Sequence, residues 1–233
     1  MIEGKSVLAI IPARGGSRRV PGKNIRIIAG KPLIGWTILE AKKSKFIDRL
    51  ILSSEDKEIH RTAREYGCEV PFERPPELAA DDTPGTAPVL HAIDFYQQKY
   101  DYVVLLQPTS PLRLAEDIDN ALLHCLSQKA PACFSVFEMN KPPSWMFRIN
   151  EKGKALPYFG NLVLNSSGSE ERGYLQNGAI YISECQFFIK NNSFETVDST
   201  GFVMPTERSL DIDTELDFEL GEFFLQKREN KHF

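Results

Sequence analysis

The chain has 233 residues, enough for one sizeable core with a small appendage and too few for two ordinary domains with a linker. Its 42% hydrophobic and 26% charged composition marks a folded globular protein and excludes a disordered one. A net charge of −4 argues against general nucleic-acid binding, which needs a basic footprint.

Ser6–Pro12 is a continuous apolar run, as expected of a buried strand, and it is far too short for a signal core or a membrane span. From Ala13 to Gly30 follows a long loop of Gly, Arg, Lys and Pro that cannot pack as core. Pro32 suits a first helical turn, and Leu33, Trp36, Thr37, Glu40 and Ala41 continue the helix. Arg49–Ser53 reads as a strand, Glu55–Tyr66 as a helix stopped by Gly67, and Pro71–Pro88 as a loop. Val89–Tyr100 is a predicted helix, Asp101–Leu106 a buried strand, Ala115–Gln128 a helix and Ala132–Phe137 a strand. From Asn140 to about Gln176 the pattern breaks into turn-rich stretches, Lys141-Pro-Pro-Ser and Asn165-Ser-Ser-Gly-Ser among them. It reads as an extended excursion or small β-subdomain. Alternation resumes with the strand Ala179–Ile182. A last helix opens at Asp213 and runs through Leu225, with Thr214 and Asp217 at capping-box spacing.

Strands alternating with helices of ten or more residues predict an α/β fold: a mostly parallel, Rossmann-like sheet with helices on both faces. Ligands of such sheets sit beyond the carboxyl ends of the strands, where the loops after Pro12 and Leu106 both lie. The four cysteines, Cys68, Cys125, Cys133 and Cys185, form no CxxC pair and no zinc-ligand cluster. They read as buried reduced thiols suited to the cytoplasm.

Three constellations carry chemistry. Gly4–Leu39 contains no Asp or Glu, yet holds Lys5, Arg14, Arg18, Arg19, Lys23, Arg26 and Lys31, a local cation excess that can hold a small polyanion. Within it, Gly15-Gly16 lets the backbone turn and aim N–H groups at an anion. It is not a P-loop, because Asn24 follows Gly22-Lys23 where Ser or Thr is required, and the GxGxxG fingerprint of NAD-dependent Rossmann enzymes is missing. Gln107-Pro-Thr-Ser-Pro-Leu-Arg113 offers neutral donors and acceptors suited to sugar hydroxyls and a carboxylate, on a turn stiffened by proline. In Asp211-Ile-Asp213, side chains two apart in extended backbone share a face, so two carboxylates can converge on one hard cation such as magnesium. Taken alone, Asp213 reads equally well as a helix cap and Asp211 as a surface charge.

In this order the motifs resemble the CMP-sialic acid synthetase family, the acylneuraminate or nonulosonic acid cytidylyltransferases. IIPARGGSRRVPGKN at 10–24, RPPELAADDT at 74–83, QPTSPLR at 107–113, NGAIYI at 177–182 and DIDTELD at 211–217 carry the resemblance from end to end. The synthetase of the eight-carbon acid Kdo is similar in the first motif, but it is expected to end its strand with a QGDEP-like segment where this chain has QPTSP.

The resemblance implies a nucleotide-diphospho-sugar transferase-like fold over 1–233, with a dimerisation subdomain at about 139–176. It implies a cytoplasmic homodimer using CTP and magnesium and acting on neither nucleic acid nor membrane. Arg14, Gly15, Ser17 and Lys23 would cradle the CTP phosphates, with Asn24 near them or the ribose. Arg74, Ala80 and Asp82 would lie near the cytosine or ribose. Gln107, Thr109 and Ser110 would contact a nine-carbon keto-sugar acid, and Lys141 would face the partner subunit's substrate. Asp211 and Asp213 would hold Mg2+, with Arg14, Lys23 and Asp211 the residues that carry the reaction; no separate general base is evident.

One departure is visible. The family carries an Arg/Gln-Asp-Leu-Pro-like segment before NGAIYI, where this chain has Ser167-Gly-Ser-Glu-Glu-Arg-Gly-Tyr-Leu-Gln176. Arg172 would supply the missing charge toward the sugar acid, and with the acidic pair beside it the altered segment would admit legionaminic or pseudaminic acid beside N-acetylneuraminic acid as acceptor. Two other classes stay open on the sequence: a non-catalytic CTP-binding module and a Kdo-type enzyme.

Overall fold

A computed structural model describes residues 1–17, 19–80, 82–97, 99–159 and 172–230. Of the features read from sequence, Arg18, the Asn165–Ser169 turn and the first half (167–171) of the departure before Gln176 lie outside the described residues.

The elements run in the predicted alternation: β1 (Val7–Pro12), a small hairpin of β2 (Ile27–Ile28) and β3 (Lys31–Pro32), α1 (Leu33–Ala41), β4 (Arg49–Ser53) and α2 (Lys57–Glu65). α3 (Ala87–Phe95), β5 (Tyr102–Leu105), α4 (Ala115–Ser127) and β6 (Ala132–Glu138) follow. The excursion contributes the antiparallel hairpin of β7 (Phe147–Ile149) and β8 (Ala155–Pro157). The chain then returns through β9 (Tyr174–Glu184), α5 (Cys185–Asn191), β10 (Thr200–Val203) and α6 (Glu215–Glu229).

The central sheet has six strands in the order β10-β6-β9-β5-β1-β4. β1 pairs in parallel with β4 and β5, and β10 with β6. β9 runs antiparallel to both β5 and β6, so the mostly parallel sheet carries one reversed strand in its middle. That reversal follows from the excursion, which returns the chain to the same end of the sheet at which β6 leaves it, Glu138 pairing with Tyr174.

The apolar runs are unbroken because both faces are covered. Val7, Ala9 and Ile11 point to one face, where α1, α2 and α4 supply Ile34, Ile38, Ile59, Ile118 and Leu122. Leu8 and Ile10 point to the other, against Val89, Ala92 and Ile93 of α3 and Phe188 of α5. A third cluster joins Val20, Ile28 and Trp36 to Ile212, Phe218 and Leu225, fixing the long loop after β1 against α6.

Local chemistry sets the helix ends. Asp56 caps α2 by accepting from the Glu58 and Ile59 amides, an arrangement that contributes about 1 kcal/mol. Thr214 and Asp217 form the predicted capping box at the start of α6. From β1 the chain passes to β4 on one side and to β5 on the other. The point where strand order reverses therefore lies between β1 and β5, and the crevice opens at their carboxyl ends.

Candidate active site

A cleft of 980 Å³ opens at that crevice. Its walls come from the loop after β1, the 74–88 segment, the turn after β5, the turn after α5, and residues 211–213.

The cationic wall is held in shape by its own hydrogen bonds. Lys23, its side chain only 13% exposed, donates from Nζ to the Ile212 carbonyl at 2.6 Å and to Asp213 Oδ1 at 3.2 Å. Arg19 reaches the other oxygen of Asp213 at 3.4 Å. Buried Asn24 donates through Nδ2 to the Arg14 carbonyl at 3.0 Å, pinning the base of the loop. Arg74 is almost fully buried, pairs with Glu55 at 2.5 Å and donates to the Ala13 carbonyl at 3.4 Å.

Facing these cations are the two carboxylates of 211–213. Asp211 is largely buried, and burial pushes its pKa up; the neighbouring Thr109 side chain opposes that push, and the Asp213 charge adds to it. Its Oδ1 is buried without a hydrogen-bond partner. The Ile212 amide donates to the Thr109 carbonyl at 2.8 Å, so the carboxylate segment is stitched to the 107–113 turn. An orphaned buried carboxylate oxygen beside a second carboxylate is a donor set that fits a hard divalent cation. Among the described residues no group of three or more His, Cys, Asp or Glu converges as a complete protein cage.

The 107–113 turn is neutral where it meets the cleft. Gln107 and Thr109 line it, and Thr109 Oγ1 donates to Gln107 Oε1 at 3.3 Å. Beneath them Arg113, 1% exposed, donates to the Ala179 carbonyl at 2.6 Å, the Gln107 carbonyl at 3.2 Å and Thr37 Oγ1 at 2.8 Å. Complete burial pulls its pKa down to about 10. Gly178, at φ +69°, lets β9 pass close to both Gln107 and Asp211; a Cβ there would come within 3.3 Å of Gln107 Oε1.

The structure thus gathers Arg14, Ser17, Lys23, Asn24, Arg74, Ala80, Gln107, Thr109, Asp211 and Asp213 around one cleft. Other sequence candidates fall outside its walls. The Gly15 amide is committed to Glu55 Oε1 at 2.8 Å. Asp82 is exposed at the surface. Ser110 is buried beneath the turn, its hydroxyl without a partner. Lys141 stacks over Trp145 at 5.1 Å on the excursion, and Arg172 pairs with Glu138 at 3.5 Å.

A cytidylyltransferase family model matches residues 8–200, a span that contains most of these walls. The chain belongs to the cytidylyltransferase family. It is 36% identical to a CMP-N,N'-diacetyllegionaminic acid synthase of Legionella pneumophila, covering 94% of this chain and 96% of the relative. It is 32% identical to a pseudaminic acid cytidylyltransferase of Campylobacter jejuni, over 97% and 99% of the two chains. An N-acylneuraminate cytidylyltransferase of Escherichia coli is 33% identical over 95% of this chain, which spans about half (52%) of that relative. The solved structure of a CMP:2-keto-3-deoxy-manno-octonic acid synthetase with CTP superposes with a TM-score of 0.72, covering 96% and 99% of the chains at 18% identity. At that identity it supports the fold alone.

Several walls of this cytidylyltransferase's cleft escaped sequence reasoning. Tyr181 of β9 faces in, and burial, then the charges of Glu195 and Asp211, push its phenol up to about 12. Asn192, Phe194 and Glu195 line the turn after α5, with the Phe194 ring 5.5 Å from Tyr181. The available signal was Asn192 itself, one of the few non-glycine residues at positive φ, since Asn after a helix marks a left-handed cap. Arg113 gave no signal that separates a buried anchor from a loop cation.

Proposed function

We propose that this cytidylyltransferase moves CMP from CTP to the anomeric hydroxyl of a nine-carbon 2-keto sugar acid and releases pyrophosphate. The observation that carries the reading is the gathering, around one cleft, of the Arg14–Lys23 loop, the Asp211/Asp213 segment that it hydrogen-bonds, and the neutral Gln107–Thr109 turn. The similarity to legionaminic, pseudaminic and N-acylneuraminate enzymes at 36%, 32% and 33% identity supports the acceptor class rather than one member of it.

The difficulty of the reaction is to bring a weak nucleophile to the α-phosphorus of a highly charged nucleotide, and positioning with charge neutralisation supplies most of the rate. The bond from the anomeric oxygen to the α-phosphorus forms in line with the bond that breaks to the pyrophosphate oxygen; the hydroxyl proton passes to solvent. Lys23, Arg14 and Arg19 neutralise the phosphates and the departing pyrophosphate, while Ser17 adds a neutral donor and Asn24 holds the loop's base. Arg74 and Ala80 border the nucleoside end. Gln107 and Thr109 orient the acceptor's hydroxyls and carboxylate, and Tyr181, neutral at physiological pH, gives its other wall a donor. Asp211 and Asp213 are the residues that would hold Mg2+, which when bound offsets phosphate charge and lowers the pKa of a coordinated hydroxyl.

The protein is further read as a cytoplasmic homodimer of one catalytic domain. Free, buried cysteines suit a reducing compartment, and no described helix is long and apolar enough to cross a membrane. The excursion exposes Trp145, Phe147, Ile149, Tyr158, Phe159 and Leu175, an apolar surface fitted to a second copy, which would carry Lys141 and Arg172 toward the neighbouring cleft. Pyrophosphate release from CTP and magnesium, with N-acetylneuraminic, legionaminic, pseudaminic and Kdo acids supplied separately, tests the reaction. Rapid release with one nine-carbon acid is expected; release with Kdo alone, or with none, overturns the reading.

A further inference from the structure

Glu55 lies outside the cleft walls and looks from sequence like an ordinary acid at the start of a helix. Its neighbour Asp56 performs the capping of α2, accepting from Glu58 and Ile59, so Glu55 is not needed there. Instead its carboxylate turns back and divides between two partners. Oε1 accepts from the Gly15 amide at 2.8 Å, and Oε2 takes the Arg74 guanidinium at 2.5 Å.

The two partners come from different segments that border the cleft. Gly15 lies between Arg14 and Ser17, which line it; Arg74 lines it from a segment 59 residues further along the chain. Arg74 is 3% exposed, its amide donates to the Ser54 carbonyl at 2.8 Å, and it also reaches the Ala13 carbonyl. The corner is keyed by shape as well. A Cβ at Gly15 would overlap Asp56 Oδ2, and the Asp56 side chain is held by its capping bonds. A carboxylate beside a loop built for a polyanion is electrostatically adverse, so its placement needs a compensating gain, and fixing these two partners supplies one.

We propose that Glu55 is a positioning residue for the nucleotide: one carboxylate sets the Gly15 turn and the Arg74 guanidinium at a fixed separation, so that the phosphate-facing loop and the nucleoside-facing arginine engage one CTP together. On this assignment the Gly15 amide is a structural donor, and the phosphates are met by the loop's other groups. The proposal rests on the cytidylyltransferase reading above and adds to it a residue that touches no substrate.

The test combines equilibrium titration of CTP into the full chain with steady-state kinetics for Glu55→Gln, Arg74→Gln, the double variant and Gly15→Ala, all checked for unaltered cooperative thermal unfolding. Glu55→Gln keeps the shape and the acceptor for Gly15 but removes the charge facing Arg74. It is expected to weaken CTP binding and raise the KM for CTP about tenfold, the effect of one charge-assisted hydrogen bond. The kcat stays within about threefold of wild type and the acceptor KM is unchanged, as expected when uniform nucleotide binding is lost. The double variant binds CTP within about twofold of Arg74→Gln, because Glu55 acts through that arginine. Gly15→Ala reads the other arm and weakens CTP independently of Arg74.

Unchanged CTP binding in Glu55→Gln overturns the proposal. So do losses that multiply in the double variant, and so does a kcat or acceptor KM that deteriorates with the CTP KM. Wild-type protein that binds no CTP overturns the functional reading and this proposal with it, whereas wild-type binding with an indifferent Glu55→Gln overturns this proposal alone.

Discussion

Two loops leave the carboxyl ends of neighbouring parallel strands, and they use arginine in opposite ways. The loop after β1 displays Arg14, Arg19 and Lys23 at the cleft and keeps them in place with peripheral acceptors: the Ile212 carbonyl, Asp213 and, below, Glu55. The turn after β5 shows the cleft only neutral groups, Gln107 and Thr109, and buries its one cation, Arg113, as an anchor under the backbone. A polyanion calls for cations kept near water, where they stay charged and can exchange partners. A hydroxyl-rich acceptor calls for fixed dipoles, and a buried guanidinium fixes three acceptors at once.

The comparison is sharpened first by removing the charge that faces both loops. Asp211→Asn is expected to lower kcat by roughly 10²–10³-fold while the protein stays folded, read by pyrophosphate release beside circular dichroism; near-normal turnover would remove Asp211 from the reaction. Arg113→Ala should break the second loop through stability instead. It strands two buried carbonyls and Thr37, at a cost of about 3–5 kcal/mol read by urea unfolding. A loss below about 1 kcal/mol would mean that the turn stands without its anchor. Arg19→Ala lies at the other extreme: its pair with Asp213 is well exposed, so stability changes by less than about 1 kcal/mol. Its CTP KM should rise a few-fold, about threefold at low salt and less at high salt; a salt-independent rise would break the contrast between the loops.

Much of this contrast was legible in the sequence, and the illegible part has physical causes. A run of cations without acids announces itself, as do DIDTELD and the alternation of strand and helix. Burial of Arg113 does not, because QPTSPLR looks the same whether its arginine points out or under. Glu55 and Asp56 stand side by side at the start of a predicted helix, and only the fold assigns one to the helix and the other to the loop. β9 was expected as Ala179–Ile182, yet it spans Tyr174–Glu184, since Gln176-Asn-Gly reads as a turn until a partner strand holds it. Its direction depends on where the excursion returns, which no local pattern encodes. β10 and the Asn192–Glu195 wall were missed for similar reasons: four residues make too short a strand signal, and pocket walls acquire meaning only from what they face.

Two smaller effects probe the regions outside the loops. Phe147→Asp with Ile149→Asp, on the exposed hairpin, is expected to convert a dimer to monomer in light scattering at micromolar concentration; a wild-type monomer would leave the excursion without its assigned partner. The cysteine thiols give the slightest signature. Burial raises each from an ordinary value of 9.0 to about 12. Folded protein holds those protons while the unfolded chain releases them, so stability present below pH 9 declines as pH rises from 9 toward 12. Thiol reagents should label the chain at pH 8 only after denaturant is added.

The bond from Lys23 to the Ile212 carbonyl joins residues 189 positions apart, and the Ile212 amide in turn grips the turn after β5. Neither the loop after β1 nor the turn after β5 has its full set of hydrogen bonds until the 211–213 segment arrives. During synthesis this makes the cleft a late product: a growing chain with its sheet largely assembled still lacks the clasp that joins the two loops.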